Sequence, residues 1–162
     1  MLKGKKGIIF GVANDHSIAW GISKKLSEHG AELALTYQND TLLKRIKPLS
    51  KKINSKLLIE CDFSQSNSIK KCFNILNQEW SEIDFVIHAA AYSNKNELNG
   101  RYIDTSMNNF INTLNISCYS FTEISKFASK MMTGGGSLVT LSFHGANKVM
   151  PNYNVMGVAK AA

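Results

Sequence analysis

Tyr153 is followed seven positions later by Lys160, directly downstream of the apolar run Gly136–Phe143. On a helix, seven residues are about two turns, so both side chains share one face with roughly 10 Å of rise between them. A phenol so placed can donate to an oxygen on which charge develops, and an ammonium nearby can hold ribose hydroxyls and make the phenol a better donor. This is the chemistry of a nicotinamide-dependent reduction, with Tyr153 over the reacting carbonyl and Lys160 one cofactor ribose away. The shorter spacing of many short-chain reductases, a Tyr with a Lys four residues on, is absent: the residues four after Tyr37, Tyr92, Tyr102, Tyr119 and Tyr153 are Thr41, Asn96, Ser106, Glu123 and Gly157.

Positioning such a pair requires a rigid scaffold. Gly7–Val12, Ala31–Tyr37, Lys56–Cys61, Ile83–Ala89 and Gly136–Phe143 are short apolar runs that predict strands. Their near-continuous hydrophobicity marks a parallel sheet buried on both faces. Between them Ile18, Ile22 and Leu26 repeat at helical spacing, as do Leu42, Leu43, Ile46 and Leu49, and Ile69, Cys72, Phe73, Leu76 and Trp80. A longer helix is expected from about Met107 to Met131, with Phe110, Ile111, Leu114, Phe121 and Ile124 on its apolar face and Gly134–Gly136 after it. Pro48 should kink or end the second helix, and Pro151 suits the start of the last. Strand–helix alternation from the first residues defines an α/β, doubly wound, Rossmann-like sheet with right-handed crossovers.

Ligands of such sheets bind beyond the carboxyl ends of the strands. That rim collects Gly11–Ser17, Gln38, Asp62, His88–Tyr92 and Ser142–Gly145. Gly11 permits a tight turn after the first strand, and Ser17 is placed to cap a helix whose N-terminal amides face a pyrophosphate. At the end of the second strand the first polar residue is Gln38, with no arginine beside it to hold a 2′-phosphate, which points to NADH; Asp40 reads as the cap of the next helix. Asp62 can accept from an adenine amino group while Phe63 packs on the ring, or it can simply cap. Small residues at Ala89, Ala90 and Ala91 let a nicotinamide ribose approach the backbone. His88 reads as a satisfied structural histidine, and Asn115 as a polar residue of the long helix.

The chain has 162 residues and a net charge of +7. Its lysines are spread over helices and loops, and Arg45 and Arg101 are its only arginines, so a nucleic-acid surface is not indicated. A basic exterior suits solvated helix faces and can attract an acidic carrier or phosphorylated substrate. No apolar stretch approaches the ~20 residues of a membrane span. Cys61, Cys72 and Cys118 are few, odd in number and far apart, which fits free thiols in a reducing cytoplasm. No metal-ligand set is proposed.

Taken together, GVANDHSIAWGI, GAELALTYQND, the Cys61–Asp62 pair, SCYSF and PNYNVMGVAKA resemble the bacterial enoyl-acyl-carrier-protein reductases of type II fatty-acid synthesis, a divergent branch of the short-chain dehydrogenase/reductase superfamily. The resemblance implies NADH held by Gly11, Ala13, Ser17, Ile18, Gln38, Asp62, Phe63, Ala89, Ala90, Ala91 and Lys160. It implies an enoyl group carried by acyl carrier protein and bound against Tyr92, Phe143 and Tyr153, with Tyr153 on the thioester oxygen. It also implies a cytoplasmic homotetramer. Phe143 stands where the family usually has a second Tyr, and Ala89–Ala91 replace its usual small-residue stretch. The resemblance spans residues 1–162 as one dinucleotide-binding domain, expected to stop after the fifth strand and the start of the following helix. A catalytically inactive, truncated relic is the alternative reading, and a short-chain reductase acting on a carbonyl a third.

Overall fold

The computed structural model describes all 162 residues, Met1–Ala162. Five strands form it: β1 (Lys6–Phe10), β2 (Glu32–Tyr37), β3 (Leu57–Glu60), β4 (Phe85–His88) and β5 (Ser137–Thr140). They pair in parallel in the order β3-β2-β1-β4-β5, with Ile9 opposite Leu35 on one side and Ile87 on the other. The helices are α1 (Ile18–Glu28), α2 (Asp40–Lys52), α3 (Ser68–Glu79), α4 (Met107–Leu114), α5 (Ser120–Ala128) and α6 (Asn154–Ala161). Each expected strand is present and shorter overall; β1 starts one residue earlier than expected, at Lys6, and ends two earlier, and β2 ends at Tyr37 as expected.

The central strands are buried on both faces, so one sheet serves two cores. Ile8, Phe10, Ala34, Ile59 and Val86 meet α3 and α5 through Ile69, Leu76, Ile124 and Ala128. Ile9, Leu33, Leu35 and Ile87 meet α1 and α2 through Trp20, Ile46 and Leu49. Full burial of each such side chain contributes about 1.5–3 kcal/mol. β5 lies at the sheet edge, with all four of its residues exposed.

Several helical expectations need correction. Ile18 is 69% exposed, and Ala19, Trp20 and Ser23 carry the buried face of α1 instead. Pro48 neither ends nor interrupts α2; it and Lys44, the residue four before it, are exposed, so the carbonyl left without a partner can take water. Asn39 rather than Asp40 caps α2, its Oδ1 accepting from Leu42 N at 3.1 Å. The long helix divides: a π-helical turn at Asn115–Tyr119 separates α4 from α5, and the last regular turn closes at Ala128. Its buried positions in α4 and the π turn are Asn109, Thr113 and Ser117, while Ile111 is exposed. Pro151 precedes α6 by three residues, which makes Tyr153 the residue before the helix rather than part of it.

Candidate functional site: a dinucleotide-sized cleft and a Tyr–Lys pair

The carboxyl ends of β1, β2, β3 and β4 open on a cavity of about 510 Å³ lined by Gly11, Ala13, Gln38, Asp62, Phe63, Ala89, Ala90, Ala91 and Tyr92, among others. Gly11 adopts φ 102° and sits so close to β4 that a Cβ there would meet Ala89 O at 2.3 Å. The turn after β1 is thereby pressed against the loop after β4, a cradle that only glycine fills. Ser17 occupies the cap position of α1 but makes no capping bond; its Oγ donates to Asn14 O at 2.7 Å and accepts from Ala13 N at 3.4 Å. It shapes the loop instead of closing the helix, which leaves the Ile18 and Ala19 amides without a bond, while Trp20 N donates to Ser17 O at 2.9 Å. Ile18 is on the exposed rim of that loop.

Asp62 is held in place before any ligand arrives. Its Oδ1 accepts from Gln38 Nε2 at 3.1 Å, Ser64 N at 2.9 Å and Ser64 Oγ at 2.8 Å, and its own N–H donates to Ser68 Oγ at 2.8 Å. The half-buried Phe63 lines the cavity with its ring 5.6 Å from Phe10 and stacked 5.8 Å from His88. Asn115 is more than a polar helix residue: its Nδ2 donates to Phe63 O at 3.1 Å and ties the π turn to this loop.

The loop after β4 is fixed by side chains that sequence reading missed. Ser117 Oγ contacts both Tyr92 N (3.0 Å) and Tyr92 O (3.1 Å). Asn109 Oδ1 accepts from Asn94 N at 2.8 Å, and Thr113 Oγ1 donates to Ser93 Oγ at 2.9 Å. The available signal was the run of polar residues Asn109, Thr113 and Ser117 at i, i+4 and i+8, which share one helix face.

Tyr153, Phe143 and Lys160 do not line the first cavity. Tyr153 borders a second groove, of about 450 Å³, with Gly145, Met150 and Gly157. Tyr92 lines the first cavity and Tyr153 the second groove. Tyr153 and Lys160 do converge on one segment. The Tyr153 ring lies 5.0 Å from Phe143 and so tightly on Gly145 that a Cβ there would come within 2.6 Å of it. Lys160 Nζ donates to Leu141 O at 2.7 Å, and Ser142 Oγ to Lys160 O at 3.1 Å. Burial raises the Tyr153 phenol above its ordinary pKa and lowers the Lys160 ammonium below its own.

His88, at the end of β4, bridges β5 and α5. Its Nδ1 is 2.8 Å from Thr140 Oγ1 and its Nε2 2.9 Å from Ser120 Oγ, so both ring nitrogens are partnered. Burial, and then the nearby Lys160 charge, push the imidazole down to about 4. An unfolded His88 takes up its proton near the ordinary 6.5, whereas the folded one resists until about 4. Stability from this residue is therefore complete above 6.5 and lost as pH falls towards 4, by about 3 kcal/mol. Urea midpoints measured between pH 7.5 and 4.5 should fall steeply in the native chain and less so in His88→Asn; parallel slopes would refute the assignment.

The fold defines a Rossmann-like α/β protein with a cleft at the carboxyl rim of its sheet and a Tyr–Lys pair after β5. The family model described as enoyl-(acyl carrier protein) reductase matches residues 11–162. The chain is 52% identical over 162 residues to "Enoyl-[acyl-carrier-protein] reductase [NADH] 2" of Rhizobium meliloti (strain 1021), covering all of this chain and 60% of that protein. It superimposes on the Anaplasma phagocytophilum reductase crystallised with NAD at TM-score 0.96 and 55% identity, covering 99% of this chain and 62% of that one. On the Bacillus cereus reductase with NADP+ and an indole naphthyridinone the TM-score is 0.95 at 40% identity, covering 99% and 63%. The chain belongs to the enoyl-acyl-carrier-protein reductase family and spans about 60% of the length of its Rhizobium relative.

Proposed function

We propose that the whole protein catalyses NADH-dependent reduction of a trans-2-enoyl group carried by acyl carrier protein to the saturated acyl thioester. What carries this reading is the convergence of Tyr153 and Lys160 on the segment Leu141–Gly145 after β5. The residues present suit the cofactor: a Cβ-free approach at Gly11, unpaired amides of Ile18 and Ala19 at the start of α1, and an immobilised carboxylate at Asp62. Gly11, Ala13, Ser17 and Ile18 would hold the pyrophosphate side, Gln38, Asp62 and Phe63 the adenosine, and Ala89–Ala91 with Lys160 the nicotinamide ribose. When bound, the dihydronicotinamide would supply a hydride to the substrate's β-carbon, and a proton from solvent taken up at the α-carbon completes the saturated thioester. Tyr153, kept protonated by its raised pKa, donates to the thioester oxygen as negative charge gathers there. Lys160 would exchange the Leu141 carbonyl for ribose hydroxyls and keep a positive charge near the phenol. The +7 surface favours approach of an acidic carrier.

NADH should be preferred over NADPH by about tenfold or more in Kd, about 1.4 kcal/mol. No Lys or Arg lines the cleft, and Gln38 is hydrogen-bonded to the Asp62 carboxylate, which would repel a 2′-phosphate. Both points are tested together by following dihydronicotinamide absorbance in the full-length gene product with a trans-2-enoyl thioester. Absence of turnover with either cofactor refutes the activity; tighter NADPH binding refutes the role of Gln38.

A further inference from the structure

Tyr153 stands between two residues with left-handed backbones, Asn152 at φ 58° and Asn154 at φ 28°. Such conformations are strained for residues other than glycine, on the order of 1–3 kcal/mol each, and persist only where the surroundings impose them. For Asn154 the surroundings are visible. Its Nδ2 lies 3.2 Å from Glu97 O, 3.2 Å from Asn99 O and 3.4 Å from Gly100 O. All three partners are carbonyls, so the amide must present its NH₂ to them; the opposite rotamer would set oxygen against oxygen. The loop it grips is itself anchored, because Glu97 accepts from Ser106 N at 2.8 Å and Ser106 Oγ at 3.0 Å, at the cap of α4.

We propose that Asn154 is a positioning residue for Tyr153: by clamping the carbonyls of Glu97, Asn99 and Gly100 it holds the turn that sets the phenol against Phe143 and Gly145. The clamp works because the ring has no other fixed partner. Tyr153 donates no side-chain hydrogen bond within the chain; it is placed by packing on Phe143, on the bare Cα of Gly145 and, more loosely, on Gly157. A turn free to relax would swing the phenol out of the groove while leaving the cleft after β1–β4 untouched, since that cleft includes no residue of 97–100 or 152–154. Asn154 should therefore act on the chemical step and not on cofactor binding.

This inference rests on the proposed enoyl reduction, and its test separates the two. Two variants of the full-length gene product are compared with the parent: Asn154→Asp, the same size without a donor, and Asn154→Gly, which tolerates the left-handed backbone but has no clamp. In both, kcat with an enoyl thioester should fall about tenfold or more, in line with an ångström-scale displacement of a reacting group. NADH Kd should stay within about twofold, splitting kcat from cofactor affinity. The ¹³C-labelled Tyr153 ring resonance, assigned with Tyr153→Phe, should shift as it leaves Phe143. Unchanged kcat with an unmoved resonance overturns the proposal, as does NADH affinity falling in step with kcat. Loss of folding in both variants overturns it too, since Asn154 would then serve overall stability. If the parent shows no enoyl reduction, that reaction is refuted, and the Tyr153 resonance alone decides on Asn154: a shift supports the clamp, and no shift overturns it.

Discussion

Tyr153→Phe in the full-length gene product is expected to lower kcat for enoyl-thioester reduction by about 100- to 1,000-fold, while NADH affinity changes by less than about threefold. The phenol meets charge that exists only in the transition state, so its loss is felt in the barrier and not in ground-state binding. Packing should survive, because Phe keeps the ring that touches Phe143 and Gly145, and the hydroxyl makes no hydrogen bond that the fold requires. Lys160→Ala provides the contrast. It removes the half-buried ammonium that donates to Leu141 O, and by the proposed role it should weaken NADH binding by about tenfold as well as depress kcat. Rapid kinetics with fluorescence-monitored NADH binding separates the two quantities. Equal losses of cofactor affinity in both variants would contradict the division of labour.

Gly11→Ala should abolish measurable cofactor binding and destabilise the fold by about 2–5 kcal/mol. The added methyl would meet Ala89 O at 2.3 Å, Ala89 C at 2.5 Å and Ala90 N at 2.9 Å. All three atoms are backbone, so no side-chain rotation relieves the contact. The φ of 102° is costly for alanine in its own right. Pushing the β1 turn away from β4 also parts the two walls of the cleft. Gly21→Ala is the matched control: it lies in α1 with nothing within 4 Å of an added Cβ, and should stabilise by up to about 1 kcal/mol. Thermal denaturation with and without NADH measures both effects. A Gly11→Ala protein with parental Tm and an undiminished NADH-induced shift would refute the cradle.

What the sequence determined by itself follows from patterns that need no distant partner. A strand buried on both faces must be apolar almost throughout, so Gly7–Val12 and Ile83–Ala89 declared the parallel sheet, and the sheet declared its ligand-binding rim. Gly11, Gln38, Asp62 and Ala89–Ala91 fell on the cleft for that reason. Local rules failed where two near-equal options lay side by side, or where contacts distant in sequence decided. Asn39 and Asp40 are both good caps, and Asn39 is the one whose side chain reaches Leu42 N. Pro48 breaks helices in isolation, but Ile46, Leu49 and Ser50 are buried around it and hold α2 together. The apolar periodicity of the long helix placed its core face on Phe110, Ile111 and Leu114; the structure buries Asn109, Thr113 and Ser117 because the loop after β4 brings its own unpaired backbone and hydroxyl groups to be satisfied. Only the tertiary structure decided where α6 begins. Pro151 favours a helix start, yet the first helical residue is Asn154, fixed by carbonyls 54 to 57 positions earlier in the chain. A propensity scale sums local energies of a few tenths of a kcal/mol, and an NH₂ whose two hydrogens are shared among three carbonyls of a distant loop outweighs them.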